Sequence, residues 1–284
     1  MQPWRPNVRL AIGFAEPCRA GVRNLQPMVD DVVEHAAGRG VRLLDTADAY
    51  APDDESFGLG EIVALRAVNR LRPSIRPTIM TKGGHTRTPG GGWSTDGGFE
   101  YLRSACYASL ERLGQEALDL YTFHRPDPGV DFEESLAALQ ALVAEGAVRT
   151  VALSNVSEPQ ITRGRAVLGS ALVAVQNELS VLNPTALPEV RACERWGLTF
   201  FAWSPLGGIG GRDRLAATVS RRVGGLGRHT AQQWALAWLV SVSRSIVPVV
   251  GVSRRESVDA SLAALRLDMS AADCAALGIR QDWS

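Results

Sequence analysis

RLLDTADAY, residues 42–50, begins apolar and ends polar, with Asp45, Asp48 and Tyr50 crowded behind Leu43 and Leu44. A short apolar run without strict alternation reads as a parallel strand buried on both faces. Two carboxylates and a phenol directly behind such a strand suit a fold whose site is assembled at strand C-terminal ends. The rest of the chain decides whether that reading holds.

Working outward, seven further runs have the same character: VRLAIGF (8–14), TIMTK (78–82), LDLYTFH (118–124), VRTVALS (148–154), LVAVQNE (172–178), LTFFAWS (198–204) and SIVPVV (245–250), which with VRLLD (41–45) make eight. Helical patterns separate them, among them PMVDDVVEHAAGRG, FEYLRSACYASLERLG and DFEESLAALQALVAEG. Glycine at their ends supplies the stop expected where a helix hands over to a strand. Eight strands with intervening helices predict a single-domain α/β (β/α)8 TIM barrel over residues 1–284, followed by C-terminal helices after 254. A doubly wound sheet is the rival, but IGFAEPCRAG after the first strand lacks the glycine fingerprint GxGxxG. GGHTRTPGGGWSTDGG, residues 83–98, shows no periodicity and is predicted to be a long, mobile Gly-rich loop on the C-terminal rim.

Composition bounds the function. The chain has 284 residues, 45% hydrophobic and 21% charged, with 30 basic and 30 acidic residues, so it can bury a large core but lacks the basic surplus of a nucleic-acid binder. Cys18, Cys106, Cys193 and Cys274 are widely spaced, which predicts buried free thiols and no metal site. No apolar stretch approaches a membrane span or a signal segment, so a cytoplasmic protein is expected, a monomer or weak homo-oligomer, with no membrane or nucleic-acid partner.

Other polar residues fall where Asp45 and Tyr50 do. Lys82 ends the third strand, His124 the fourth, Ser154 and Asn155 the fifth, Gln176 and Asn177 the sixth, Trp203 and Ser204 the seventh. Singly, each has an ordinary explanation: a snorkelling lysine, a structural histidine, a capping aspartate. Jointly they describe proton transfer. A phenol with pKa near 10 is brought toward neutrality by an adjacent ammonium, and a buried ammonium needs a carboxylate, here Asp45. His124 then shares a substrate oxygen with Tyr50, while Asp48 is assigned to bracing the turn before the next helix.

These pieces resemble the aldo-keto reductase family: RLLDTADAY with ESFGLGE, TIMTKGG, LDLYTFHRPDP, VALSNV, VQNELSVLNP, FAWSPLGG and VPVVGVSRRESVDASLAAL occur in the family's order over residues 8–268. The resemblance implies a barrel that binds NADPH extended, without a Rossmann fold, and reduces a small-molecule carbonyl substrate. It makes Tyr50 the general acid, Lys82 and Asp45 its tuning pair, and His124 the group that orients the carbonyl.

The resemblance also implies the cofactor contacts: Ser154, Asn155 and Gln176 on the nicotinamide carboxamide, Trp203 stacked on the ring, Ser204, Leu206 and Gly251 along the path, and Ser253 and Arg254 at the 2′-phosphate. Departures from the family pattern collect at the far end. Ser253 replaces the usual lysine, Val250 a proline, Ala260 and Ser261 the glutamate and asparagine expected on adenine, and Ala51 the glycine after the tyrosine. Arg255 is an expected compensating cation, and a slight cover over the cofactor is expected from the compact stretch after the seventh strand. Trp93 is expected either as a wall of the substrate pocket or as an anchor for its loop. Dehydrogenase, dehydratase or epimerase chemistry on the same four residues, and a non-catalytic NADPH-binding subunit, stay open as alternatives.

Overall fold

The alternation of side chains in very short strands sets both the core and the mouth of this molecule, described here by a computed structural model over residues 9–208 and 210–278. Strands β1 (Ala11–Gly13), β2 (Leu43–Asp45), β3 (Thr78–Gly83), β6 (Tyr121–Phe123), β7 (Val151–Ser154), β8 (Leu172–Glu178), β9 (Thr199–Trp203) and β10 (Ile246–Gly251) close into a barrel in the order β1-β10-β9-β8-β7-β6-β3-β2. All eight pairings are parallel; β1 closes the ring against β10 through Ala11↔Val249 and Gly13↔Gly251. The (β/α)8 barrel predicted from the sequence is the fold; β1, β2, β6, β7 and β9 are shorter than the apolar runs that mark them, while β3, β8 and β10 are as long or longer.

The helices are α1 (Ala15–Arg19), α2 (Leu25–Gly38), α3 (Leu59–Asn69), α4 (Phe99–Leu113), α5 (Phe132–Ala144), α6 (Glu158–Leu168), α7 (Leu187–Trp196), α8 (Arg212–Arg222), α9 (Ala231–Val242), α10 (Arg255–Ala264) and α11 (Ala271–Ala276). Helices α1 and α8 stand in segments the periodicity left as loops. Helix starts are capped where the sequence offers the residues: Asp131 accepts from the Glu133 N–H, and Thr230 with Gln233 forms a reciprocal capping box at α9.

Two apolar layers result. Ala11, Leu43, Met80, Leu120, Ala152, Ala174, Phe201, Val247 and Val249 fill the barrel interior. Their sequence neighbours, such as Leu44, Tyr121, Leu153, Val175 and Phe200, face outward into the larger layer shared with the helices. Small Ala11, Ala152 and Ala174 offset the bulk of Met80 and Phe201, as interior packing at close-packed density requires.

The predicted structureless loop at 83–98 is instead a hairpin. Strands β4 (His85–Thr88) and β5 (Gly92–Thr95) pair antiparallel around Pro89, Gly90 and Gly91, with Arg87 opposite Trp93. Three of the four cysteines are buried; Cys274 is only half-covered. Among the described residues no helix is long and apolar enough to cross a membrane, and no cluster of His, Cys, Asp or Glu could hold a metal ion.

Candidate active site

Strand period two carries the interior pattern one step further up. Two residues beyond the interior plug, β1, β2, β3, β7, β8, β9 and β10 present Gly13, Asp45, Lys82, Ser154, Gln176, Trp203 and Gly251, and all seven line one cavity of about 680 Å³ together with Tyr50 and His124. His124 lies four residues beyond Leu120, just past β6. The polar strand ends noted in the sequence are therefore one inward-facing layer.

Tyr50 reaches this layer through the turn after β2. The Thr46 N–H donates to the Met80 carbonyl (2.9 Å) and the Asp48 N–H to the Lys82 carbonyl (3.2 Å), while Gly58 and Gly60 donate back to the carbonyls of Asp48 (2.6 Å) and Tyr50 (3.1 Å). Helix α3 sits so close to the turn that a Cβ on Gly60 would lie 2.6 Å from Thr46 Oγ1 and 3.0 Å from Tyr50 Cβ, so only glycine permits this approach.

Lys82 is buried, and all three of its ammonium hydrogens have acceptors: Asp45 Oδ2 and the Thr46 carbonyl at 2.8 Å each, and Tyr50 Oη at 3.2 Å. The second Asp45 oxygen accepts from Gln176 Nε2 (3.0 Å). Burial pulls Lys82 down, but the Asp45 carboxylate and the Tyr50 oxygen reverse this and raise its pKa, so it stays an ammonium. Because Tyr50 Oη accepts from Lys82, its own O–H is free to donate into the cavity.

The phenol corrects one expectation. Burial raises the Tyr50 pKa above 10.0; Lys82 pulls against this without prevailing, and Asp45 adds to the rise. Tyr50 is thus held as an acid and is not brought toward neutrality. His124, with its ring centroid 5.6 Å from that of Tyr50, is pushed well below 6.5 by burial and then by Lys82, His85 and Arg125, so its imidazole is neutral.

A second polar cluster lies behind the turn. Buried Glu61 accepts from Thr81 Oγ1 and forms an ion pair with Arg112. Asp48 beside it is fully buried, and its carboxyl is raised far above the usual range by burial and then by Glu61. Asp48 braces the turn as expected, but through its backbone; its side chain caps nothing. A carboxylate at position 61 on the same helical face as Ala64 and Val68 was the available sequence signal for this cluster.

Along the opposite wall, Ser154 Oγ donates to the Gln176 carbonyl (2.7 Å), and Asn155 donates both amide hydrogens, to the His124 carbonyl (2.9 Å) and Ser154 Oγ (3.0 Å). The Asn155 side-chain oxygen has no donor among the described residues. Asn155 and Ser204 both have positive φ, 58° and 49°. The half-buried Trp203 forms the next part of the wall, and its buried indole N–H has no partner among the described residues. Asn177 is bound to the Val156 backbone on the outer side of β8, where it holds a loop.

Through Leu206, Gly208 and Gly251 the cavity continues into a second one of about 450 Å³, lined by Arg212, Gln232, Gln233, Arg254, Glu256, Ser257, Ala260 and Ser261 among others. Arg212 and Arg254 have no acidic partner among the described residues. A long groove with free acceptors at one end and unpaired guanidinium groups at the other fits an extended dinucleotide. Ser253 is exposed and lies outside this lining, as does Arg255, which pairs with Asp31 of α2 (Nε to Oδ1, 2.8 Å). The sequence reading missed Arg212, which opens α8.

Trp93 lines the mouth of the catalytic cavity from the hairpin, half-exposed, with its ring edge-on to His85 (5.1 Å) and the guanidinium groups of Arg87 and Arg19 at 4.2 and 5.1 Å. It lines this cavity while its ring contacts hold the hairpin beside His85.

A parallel barrel with Asp, Lys, Tyr and His joined at its C-terminal mouth is the architecture of a barrel oxidoreductase. The chain belongs to the Aldo/keto reductase family, whose sequence profile matches residues 9–279. It is 30% identical over 270 residues to a probable aldo-keto reductase 1 from Glycine max, covering 85% of this chain and 76% of that one. With a 6-dehydroglucose reductase from Novosphingobium aromaticivorans it shares 32% over 266 residues, 89% and 82% of the two chains. Among solved structures, an aldo/keto reductase from Klebsiella pneumoniae in complex with NADP and acetate superposes with TM-score 0.76 at 22% identity, over 95% of this chain and 89% of that one. A glycerol dehydrogenase from Gluconobacter oxydans gives 0.78 at 19%, over 97% and 93%.

Proposed function

We propose that the protein reduces an aldehyde or ketone to an alcohol with NADPH, with Tyr50 as proton donor. The observation that carries this is the Lys82 ammonium held between Asp45 (2.8 Å) and Tyr50 (3.2 Å), with the Tyr50 O–H left to point into the cavity beside neutral His124. NADPH held along the groove by Asn155, Gln176, Trp203, Arg212 and Arg254 would supply the hydride for the carbonyl carbon.

The chain's own residues do the rest. A carbonyl oxygen in the cavity accepts from Tyr50, and His124 is the second group positioned to hydrogen-bond it. Charge developing on that oxygen is met by the phenol proton and by the Lys82 cation behind it. With its pKa raised, Tyr50 is protonated at neutral pH, the form in which it can donate to a carbonyl oxygen. Asn155, Gln176 and Trp203 form the wall that would orient the nicotinamide, and Arg254 with Arg212 would hold the phosphates, favouring NADPH over NADH.

The names of the relatives support this reading: reductases of a dehydroglucose and of unspecified carbonyls, and a neighbour that binds NADP. The test is NADPH consumption with a panel of aldehydes and ketones, followed by deuteride transfer from stereospecifically labelled NADPD. Turnover with transfer from one face is expected. Cofactor binding without turnover of any carbonyl would favour the regulatory-subunit alternative.

A further inference from the structure

Beyond the reacting groups the cavity carries charge that the chemistry above does not use. Arg125 directly follows His124 at the end of β6 and lines the cavity, as does Arg19 at the end of α1. Neither has a carboxylate partner among the described residues. Arg125 Nε donates to His85 Nε2 (3.3 Å), while His85 Nδ1 lies 3.2 Å from the Ser94 carbonyl. That pairing requires the neutral imidazole with its proton on Nδ1. Burial and then Arg125 hold the His85 pKa down at about 4, in agreement.

His85 therefore works as a fixed prop. It spends both ring nitrogens on positioning Arg125 and leaves the terminal guanidinium nitrogens without a partner. Arg19 is steered from the other side by Trp93, whose ring lies 5.1 Å from its guanidinium carbon. The charges around the cavity are Arg19, Lys82 and Arg125 against Glu16 and Asp45. Lys82 and Asp45 neutralise each other at 2.8 Å, so two guanidinium groups face the single exposed Glu16. Asp127, the next carboxylate along the chain, is committed to the N–H groups of Gly97 and Gly129.

We infer that the substrate is a carbonyl compound bearing an anionic group, carboxylate or phosphate, received by Arg125 and Arg19 at the outer end of the catalytic cavity. This rests on the carbonyl-reduction reading. The anion site adjoins the carbonyl site: His85 and His124 have ring centroids 4.4 Å apart, and Arg125 donates to His85 Nε2 at 3.3 Å. Guanidinium is the suited receptor, since its planar donors meet two anionic oxygens at once.

The test compares 4-formylbenzoate and 4-formylphenyl phosphate with methyl 4-formylbenzoate, an uncharged near-isostere whose carbonyl is the more electrophilic. Preference in kcat/KM for one anionic aldehyde, by about tenfold or more, is expected; which one leads separates carboxylate from phosphate. That preference should shrink with added salt, because both arginines are exposed. It should collapse in Arg125→Gln and persist in Arg125→Lys.

Equal or better turnover of the ester, or a preference untouched by Arg125→Gln and Arg19→Gln, overturns the inference and leaves carbonyl reduction standing. If no aldehyde is turned over, calorimetric titration of 4-(hydroxymethyl)benzoate and its phosphate counterpart into the cofactor-free protein decides. Binding lost in Arg125→Gln keeps the anion site while the reduction reading fails. Absence of binding removes both.

Discussion

The two ends of the groove are built differently. At the catalytic end Asp45, Lys82, Ser154 and Gln176 stand on barrel strands, each at most 4% exposed, and they are linked in one chain of hydrogen bonds from Ser154 through Gln176 and Asp45 to Lys82 and Tyr50. At the far end Arg254 and Glu256 are exposed, one at the N-cap and one in the first turn of α10, and Arg212 begins α8. Buried charges leave an unpaired partner when one is removed, whereas exposed cations are individually replaceable. On the proposed reading, the chemistry is thereby locked to the barrel, and the grip on the cofactor's tail is adjustable. Four of the five departures from the family pattern, at Val250, Ser253, Ala260 and Ser261, fall toward the adjustable end, and the fifth, Ala51, follows Tyr50.

Substitutions at the two ends should separate accordingly. The largest effect is expected from Tyr50→Phe, which removes the proton donor and should lower turnover by about 10² to 10⁴-fold while NADPH affinity, read by tryptophan fluorescence, stays nearly intact. Undiminished turnover would sink the assignment. Next comes Asp45→Asn, which leaves the Lys82 ammonium buried without its carboxylate; a stability loss of about 3–5 kcal/mol is expected in urea unfolding. A smaller loss would mean that the buried end is less tightly coupled than its hydrogen bonds imply.

At the exposed end the effects should be smaller and selective. Arg254→Ala is expected to weaken NADPH by about tenfold to a hundredfold, the range of one charged hydrogen bond, and to leave NADH unchanged. Equal losses for both cofactors would place Arg254 away from the 2′-phosphate. Arg255→Ala should leave NADPH affinity within about twofold, since that guanidinium is held by Asp31.

The pH profile should show least change of all. His124 is held well below 6.5, so it is already neutral at neutrality and loses nothing as pH rises; Tyr50 is held above 10.0, so its acid form persists until strongly alkaline pH. Reductive kcat/KM measured from about pH 6.5 to 9 should therefore be flat. A descending limb near pH 8 would show that Tyr50 loses its proton far earlier than its burial dictates.

Much of the buried end was legible because period two and apolar runs are strong signals, and Asp45, Lys82, Ser154, Gln176 and Trp203 share one register. The hairpin was not, because its strands are only four residues each, none of them buried, inside a glycine-rich segment, with no apolar face to betray them. Thr86, Thr88, Trp93 and Thr95 around Pro-Gly-Gly were the β-forming signal that could have revealed it. The direction of the Tyr50 shift was also misjudged: sequence gives neighbours such as Lys82 but not the extent of burial, and burial prevailed. The pairing of Arg255 was unreadable for a related reason, since Asp31 lies 224 positions away. Arg212 went unread because it opens a helix, α8, that periodicity did not reveal.

Asn155 and Ser204 carry a last consequence. Both sit in the left-handed region, which costs little for asparagine and more for serine, and both stand on the cofactor side of the cavity. Glycine would relax either position. What it would surrender at Asn155 is an amide clamp, two N–H donors pinning the His124 carbonyl and Ser154 while the side-chain oxygen stays bare for a ligand. The groove's edge is therefore wound slightly against its own backbone preference, like a spring clip, and the amide clamp of Asn155 is what holds it closed.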